Sequence, residues 1–416
     1  MQYIIQAPEH LDATIKLPAS KSISNRALII NALARMEIVP KNLSDCDDTN
    51  VIINALDNNP YEIDIMAAGT AMRFMTAYLS VTEGEHIITG TERMKHRPIE
   101  ILVEALKSMG ADIEYLEERG FPPLRIKGKA LNGGSLEIAG SVSSQYISAL
   151  LMIAPILKNG LELKMTGNII SRPYIDLTLW TMREFGAKAD WSSGDTVTVQ
   201  PGKYIQRKYL IENDWSSASY WYEILALSND PEATIKLTGL MDGSKQGDSV
   251  ARYIFSLLGI KTSFSSRTPG KPTTVTLKKS NRIVPRLDYD FINSPDLAQT
   301  FVVCCAAMGI PFHFMGLSSL KIKETDRINA LKKELLKLGF VVKDLHDSEL
   351  IWDGERCEPT MEHIDTYDDH RMALSYAPLA MKYPEIRINN PLVVTKSYPA
   401  FWEDMRQVGF KIDVIE

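Results

Sequence analysis

Five segments of the chain share one rhythm: an amphipathic helical stretch, a glycine, then a short apolar run that reads as a strand. They are LVEALKSMGADI, LTLWTMREFGAKA, VARYIFSLLGIKT, INALKKELLKLGFVV and FWEDMRQVGFKI, with Gly110, Gly186, Gly259, Gly339 and Gly409 at the joints. Each glycine stands where a helix needs a left-handed C-terminal residue, a conformation glycine adopts at least cost. The spacing of roughly 70 to 80 residues is well beyond the period of a solenoid repeat. VIINALDNN, before YEIDIM, is a weaker sixth echo. Helix–glycine–strand joints are common in any α/β protein, but this count suits two domains of three similar units each. IKLPASKS and YLIENDWSSAS each carry a strand into a polar, helix-capping stretch, so the chain is expected to cross between domains near Leu17–Ser20 and Glu212–Asp214. Residues 1–18 with 214–416 then form one lobe and 19–213 the other, with the active site expected in a cleft between them.

A chain of 416 residues exceeds one ordinary core, which agrees with two lobes. The formal net charge of −6 weighs against a general nucleic-acid binder, which needs a basic surface. MQYIIQAPEH has no basic n-region or apolar h-region, and LLMIAPIL and TFVVCCAAMGI are too short to span a bilayer. Cys46, Cys304, Cys305 and Cys357 show neither C-x-x-C pairing nor a dense disulfide framework, and read as free thiols in a reducing compartment. The expectation is a soluble cytoplasmic protein without membrane or nucleic-acid partners.

Basic residues recur where helices begin. Lys21 and Arg26 follow serine caps in PASKSISNRALIINALA, Arg73 lies in AAGTAMRFMTAYLS, Arg327 in KETDRINALKKEL, and Arg371 follows the cap Asp369 in TYDDHRMALSYAPLAM. A helix N-terminus already carries partial positive charge, so each added cation costs a few tenths to ~1 kcal/mol. One such case is an arginine paired to a nearby acid. Several together point to helix ends and cations converging on anions. Ser143 and Ser144 in GSVSSQYISALL, and Ser171 before Pro173, begin further helices; they read as caps, or beside the cations as phosphate donors. Asp296 in SPDLAQTF and Glu324 in KETDR are the acids: a capping residue on the plain reading, proton acceptors if they sit among those cations.

At these residues the chain resembles the EPSP synthase family along nearly its whole length. LPASKSISNRAL, SDCDDT, AGTAMR, RMKHRPI, GSVSSQ, SRPYIDLT, DWSSASY, KQGD, IKETDR, TYDDHRMA and TKSYPAFW occur in the family's order. The resemblance implies an α/β fold of two similar lobes, each of three βαβαββ units around a pseudo-threefold axis. It implies transfer of the enolpyruvyl group of phosphoenolpyruvate to the 5-hydroxyl of shikimate 3-phosphate, by addition then elimination, with no cofactor and no metal. Glyphosate would compete at the phosphoenolpyruvate site.

By the same resemblance Lys21, Ser22 and Arg26 would contact shikimate 3-phosphate, and Ser143, Ser144, Ser171 and Lys323 would hold its phosphate. Gln145 and Tyr174 would pack on its ring and Asp296 would grip the ring hydroxyls. Gly69, Arg97, Gln145, Arg327, Arg371 and Lys396, with Lys21, would hold phosphoenolpyruvate. Asp296 and Glu324 would move protons, assisted by Lys21 and Lys396. Ala67, Phe74, Trp215 and Ser319 depart from residues common in the family. The related UDP-N-acetylglucosamine enolpyruvyl transferases typically have Lys-Asn where this chain has Lys21-Ser22, and a loop cysteine where it reads TERMKHRP. A non-catalytic descendant of the fold would have lost acids or clamp arginines, and Asp296, Glu324, Arg97, Arg327 and Arg371 are all present.

Overall fold

The computed structural model describes residues 1–35, 37–268 and 270–415. The chain divides into two compact units, Met1–Pro18 with Glu212–Glu416 (unit 1) and Ala19–Ile211 (unit 2). Glu212 and Asn213, grouped with residues 19–213 on sequence alone, lie in unit 1. Their hydrogen bonds explain why. Asn213 Nδ2 donates to the carbonyls of Leu17 at 2.7 Å and Thr238 at 3.0 Å, and Glu212 accepts from Met241 N and Trp215 Nε1 at 2.8 and 2.9 Å.

All five joint glycines have positive φ, +103° at Gly110, +85° at Gly186, +84° at Gly259 and Gly339, and +102° at Gly409. The sixth echo ends its helix on Asn59 in the left-handed region, φ 41°. After Gly339 the expected strand is delayed. Val341 N bonds Glu355 O and Cys357 N bonds Gly339 O, both at 3.1 Å, so a loop takes this backbone and the strand begins at Lys343–Leu345.

Four sheets share one topology. In unit 2, Glu62–Asp64 pairs parallel with Gly84–Thr89, which pairs antiparallel with Leu124–Gly128, itself antiparallel to Asp112–Tyr115. The same order recurs from Gly134–Ala139 to Thr196–Val199 in unit 2, and twice in unit 1, where Asp12–Lys16 and Leu287–Asp290 are the parallel edges. A fifth sheet in unit 1 sets the N-terminal strand Gln2–Gln6 between Ile386–Asn389 and Lys411–Ile415, with its parallel edge reduced to the bridge Ile364–Ile388. At the third sheet position of unit 2 the described residues form the parallel bridge Lys41–Leu210.

Within each unit three helices are buried on nearly every side, polar residues included, and amphipathic helices flank them. In unit 2 the buried three are Lys21–Leu33, Gly69–Val81 and Ser144–Ile153. In unit 1 they are Trp215–Leu227, Ala298–Met308 and His370–Tyr376. Side-chain pairs join them within their first two turns. Ser219 Oγ meets Thr300 Oγ1 at 3.5 Å and Gln299 Nε2 meets Met372 Sδ at 3.9 Å; in unit 2 the Arg26 guanidinium lies 5.3 Å from the Phe74 ring centroid and donates to Ser148 Oγ at 3.1 Å. Each unit therefore presents three helix N-termini at one end of its core.

Candidate active site

The predicted residues of unit 2 lie at or beside that end. Ser20 caps the Lys21 helix, its Oγ accepting from Ile23 N at 3.4 Å. Lys21 opens the helix and its Nζ reaches Asp48 Oδ2 at 2.9 Å. Asp48 is buried, and its role in holding Lys21 was not evident in the sequence; the acidic run SDCDDT was the available signal. Ser22 is half-buried, and its carbonyl accepts from Arg26 Nη1 at 2.9 Å. Arg26 points inward rather than along the helix end. It donates to Thr178 Oγ1 at 2.7 Å, Ser148 Oγ at 3.1 Å and Tyr174 O at 3.3 Å, and burial pushes its pKa down to about 10. One guanidinium thus ties the first turn of the Lys21 helix to the first turn of the Arg172–Glu184 helix.

Gly69 begins the second buried helix, and Arg97 packs flat against it. A Cβ at Gly69 would stand 2.5 Å from Arg97 Nη1 and 2.9 Å from Cζ. Arg97 Nε is buried and has no hydrogen-bond partner among the described residues. Gln145 Nε2 donates to Thr70 Oγ1 at 3.0 Å, which brings the N-termini of the second and third buried helices together beside Gly69. Arg73 was expected among the anion-facing cations, yet it is buried and donates to Gly69 O at 3.0 Å and Pro98 O at 3.1 Å. Backbone carbonyls relieve its charge at a helix start. Ser143 caps the third helix through Gln145 N at 3.3 Å, with Ser144 buried behind it. Ser171 caps the Arg172 helix in the left-handed region, φ 53°, with its hydroxyl uninvolved in capping, and the half-buried Tyr174 follows.

Unit 1 brings all six of its predicted residues into one network. Asp296 lies in the single turn Pro295–Leu297, which leads into a buried helix, and Pro295 supplies the first-turn φ. Its Oδ1 lies 2.8 Å from Arg327 Nη1 and 3.4 Å from Lys323 Nζ, and its Oδ2 3.5 Å from Arg371 Nη2. Arg371 Nη1 also donates to the Asp296 carbonyl at 3.1 Å and the Tyr220 hydroxyl at 3.2 Å. Glu324 joins the remaining cations, with Oε1 2.6 Å from Lys396 Nζ and Oε2 2.9 Å from Arg327 Nη2.

Arg327 is the hub. It is 1 % exposed, and its fork directs four hydrogen bonds onto three carboxylates, those of Asp296, Glu324 and Asp369. Asp369 is wholly buried, accepts from Arg327 Nε at 2.6 Å, and caps the next helix by accepting from Arg371 N at 2.9 Å. From the sequence it reads only as that cap. Burial opposes charge on Arg327, but the carboxylates of Asp369, Glu324 and Asp296 outweigh it and hold the proton more firmly than in a free arginine. Burial likewise pushes the Asp296 carboxyl up, and Lys323, Arg371 and Arg327 together overcome it, leaving Asp296 ionised well below the usual carboxylate range.

Nearby, Asp248 of the KQGD motif accepts from Ser216 Oγ, and burial raises its pKa to about 6 against the pull of Arg371. Among the described residues, no group of three or more His, Cys, Asp or Glu is placed to hold a metal ion, and no helix is long and apolar enough to cross a membrane.

The sequence matches the family described as EPSP synthase (3-phosphoshikimate 1-carboxyvinyltransferase) over residues 5–58 and 57–405. The chain belongs to the EPSP synthase family. A 3-phosphoshikimate 1-carboxyvinyltransferase of Bacteroides fragilis is 58 % identical over 417 residues, covering 100 % of both chains. One of Aliivibrio fischeri is 35 % identical over 97 % of this chain and 99 % of its own. Among solved structures, an EPSP synthase of Acinetobacter baumannii superposes with a TM-score of 0.78 at 19 % identity, covering 99 % of this chain and 100 % of that one, a likeness of fold. The two lobes and mixed sheets above are those of EPSP synthases.

Proposed function

We propose that this protein transfers the enolpyruvyl group of phosphoenolpyruvate to the 5-hydroxyl of shikimate 3-phosphate, releasing phosphate. The observation that carries the reading is the unit 1 network, in which Lys323, Arg327, Arg371 and Lys396 converge on Asp296 and Glu324. The reaction needs two anions held in register and protons moved at the carbon between them, and these are the groups that do both. In the addition step the hydroxyl oxygen bonds C2 of phosphoenolpyruvate, its proton passes to a carboxylate, and C3 receives a proton. In the elimination step C3 gives up a proton and the C2–O bond to phosphate breaks.

We assign Asp296 and Glu324 to proton transfer, with Lys396, which donates to Glu324 at 2.6 Å, and Lys21 assisting. Arg327, Arg371, Lys396, Arg97, Gly69 and Gln145, with Lys21, hold phosphoenolpyruvate. Lys21, Ser22, Arg26, Ser143, Ser144, Gln145, Ser171, Tyr174, Asp296 and Lys323 hold shikimate 3-phosphate. Arg26 acts through Ser22 and Tyr174, whose carbonyls it fixes. Cytoplasmic, monomeric operation belongs to the same reading.

A coupled phosphate-release assay tests it. Both substrates together should release phosphate at a rate saturable in each, and Asp296→Ala or Glu324→Ala should lower turnover ~10²–10⁴-fold with smaller effects on binding. Release with UDP-N-acetylglucosamine in place of shikimate 3-phosphate, or near-normal turnover in both variants, would overturn it.

A further inference from the structure

Asp296 stands in the position that an anionic ligand of unit 1 requires. Its two carboxylate oxygens lie within 2.8, 3.4 and 3.5 Å of Arg327, Lys323 and Arg371, cations supplied by two segments of the chain, Lys323 with Arg327 and Arg371 by itself. A phosphate or carboxylate arriving from solvent seeks the same N–H groups in the same geometry. The other two carboxylates on Arg327 differ. Asp369 has no exposure and is fixed as a helix cap, and Glu324 shares its second oxygen with Lys396. Asp296 is on a single turn of chain with its side chain 21 % exposed, and it touches every cation of the set except Lys396.

We propose that Asp296 and the anionic group of phosphoenolpyruvate compete for Arg327 and Arg371, so that the substrate displaces this carboxylate and thereby converts it into a base. The proposal rests on the reading of Arg327 and Arg371 as phosphoenolpyruvate ligands. While the three cations face Asp296 they keep it ionised but weakly basic. After displacement Arg327 and Arg371 are neutralised by the incoming anion, and Asp296 is left facing that anion, Glu324 and Asp248. Each of these changes raises its proton affinity. The group that accepts the hydroxyl proton is thus activated by the substrate it acts beside.

The competition makes Asp296→Asn an unusual variant, one that loses turnover and gains ligand. Titration calorimetry with phosphoenolpyruvate alone, at fixed ionic strength, should give Asp296→Asn at least tenfold tighter binding than wild type. Calorimetry of wild type at pH 5 to 6 in buffers of different ionisation enthalpy should show more proton uptake on binding than Asp296→Asn does. The difference between the two proteins removes the ligand's own phosphate titration from the comparison. Equal or weaker binding by a folded Asp296→Asn overturns the proposal, as does an unchanged proton count. Where that variant does not fold, absence of any pH dependence in wild-type proton uptake beyond that of the ligand overturns it. Failure of wild type to release phosphate from the substrate pair overturns instead the function on which the proposal rests.

Discussion

Gly69→Ala separates a pocket role for this glycine from a role in helix capping. The backbone at Gly69 is helical and accepts alanine without strain, so the fold should tolerate the change, and a helix-start alanine contributes up to ~1 kcal/mol relative to glycine. The methyl group meets Arg97. At 2.5 Å from Nη1, 2.9 Å from Cζ and 3.0 Å from Nη2 it lies inside the 3.4 Å at which ordinary contact begins, so the guanidinium must retreat by about 0.9 Å. A shift of that size is enough to break a charge-assisted hydrogen bond from Arg97 to phosphoenolpyruvate, worth ~1.5–3 kcal/mol. The phosphoenolpyruvate KM should therefore rise about 10- to 100-fold, with little change for shikimate 3-phosphate and a melting temperature within a few degrees of wild type. Steady-state kinetics in the coupled phosphate assay and thermal unfolding measure the two halves. Because the methyl acts through Arg97, it should cost little more in an Arg97→Ala background, where the side chain it pushes is gone. Equal losses for both substrates, or the same further loss without Arg97, would refute this and return Gly69 to the helix start.

Two further outcomes follow from buried groups. Asp48→Asn should lower turnover about tenfold or more by releasing Lys21, which Asp48 holds at 2.9 Å, while Asp48→Glu should restore part of it; unchanged turnover would make the pair purely structural. Glu223 is wholly buried in unit 1, neither carboxyl oxygen has a hydrogen-bond partner among the described residues, and burial raises its pKa well above the ordinary value. Its folded state therefore holds a proton that the unfolded chain releases above ~4.3, so wild-type stability falls as pH rises from there. Glu223→Leu should stabilise the protein by roughly 1–3 kcal/mol, more at pH 8 than at pH 5, as denaturant midpoints will show; a pH-independent or destabilising effect would indicate that the carboxyl is satisfied in solution.

Much of the fold was legible because it depends on local rules. Helix periodicity, a glycine at each C-terminus and polar caps are properties of short segments, and Gly110, Gly186, Gly259, Gly339 and Gly409 take the left-handed conformation their places in the sequence demand. The same rules marked Lys21, Arg327 and Arg371 as cations at helix starts. Which way a long side chain turns is not local. Arg26 and Arg73 follow the same pattern, yet both point into unit 2, because Thr178, Ser148 and the carbonyl of Pro98 come from elsewhere in the chain and only packing brings them within reach. Asp369 likewise reads as a cap from its neighbours and becomes a ligand of Arg327 only across 42 residues of sequence. The sequence by itself determined the elements and the charges at their ends. Tertiary structure decided which charges are neutralised by backbone and which are gathered on one another, because a buried cation must find its partners in three dimensions.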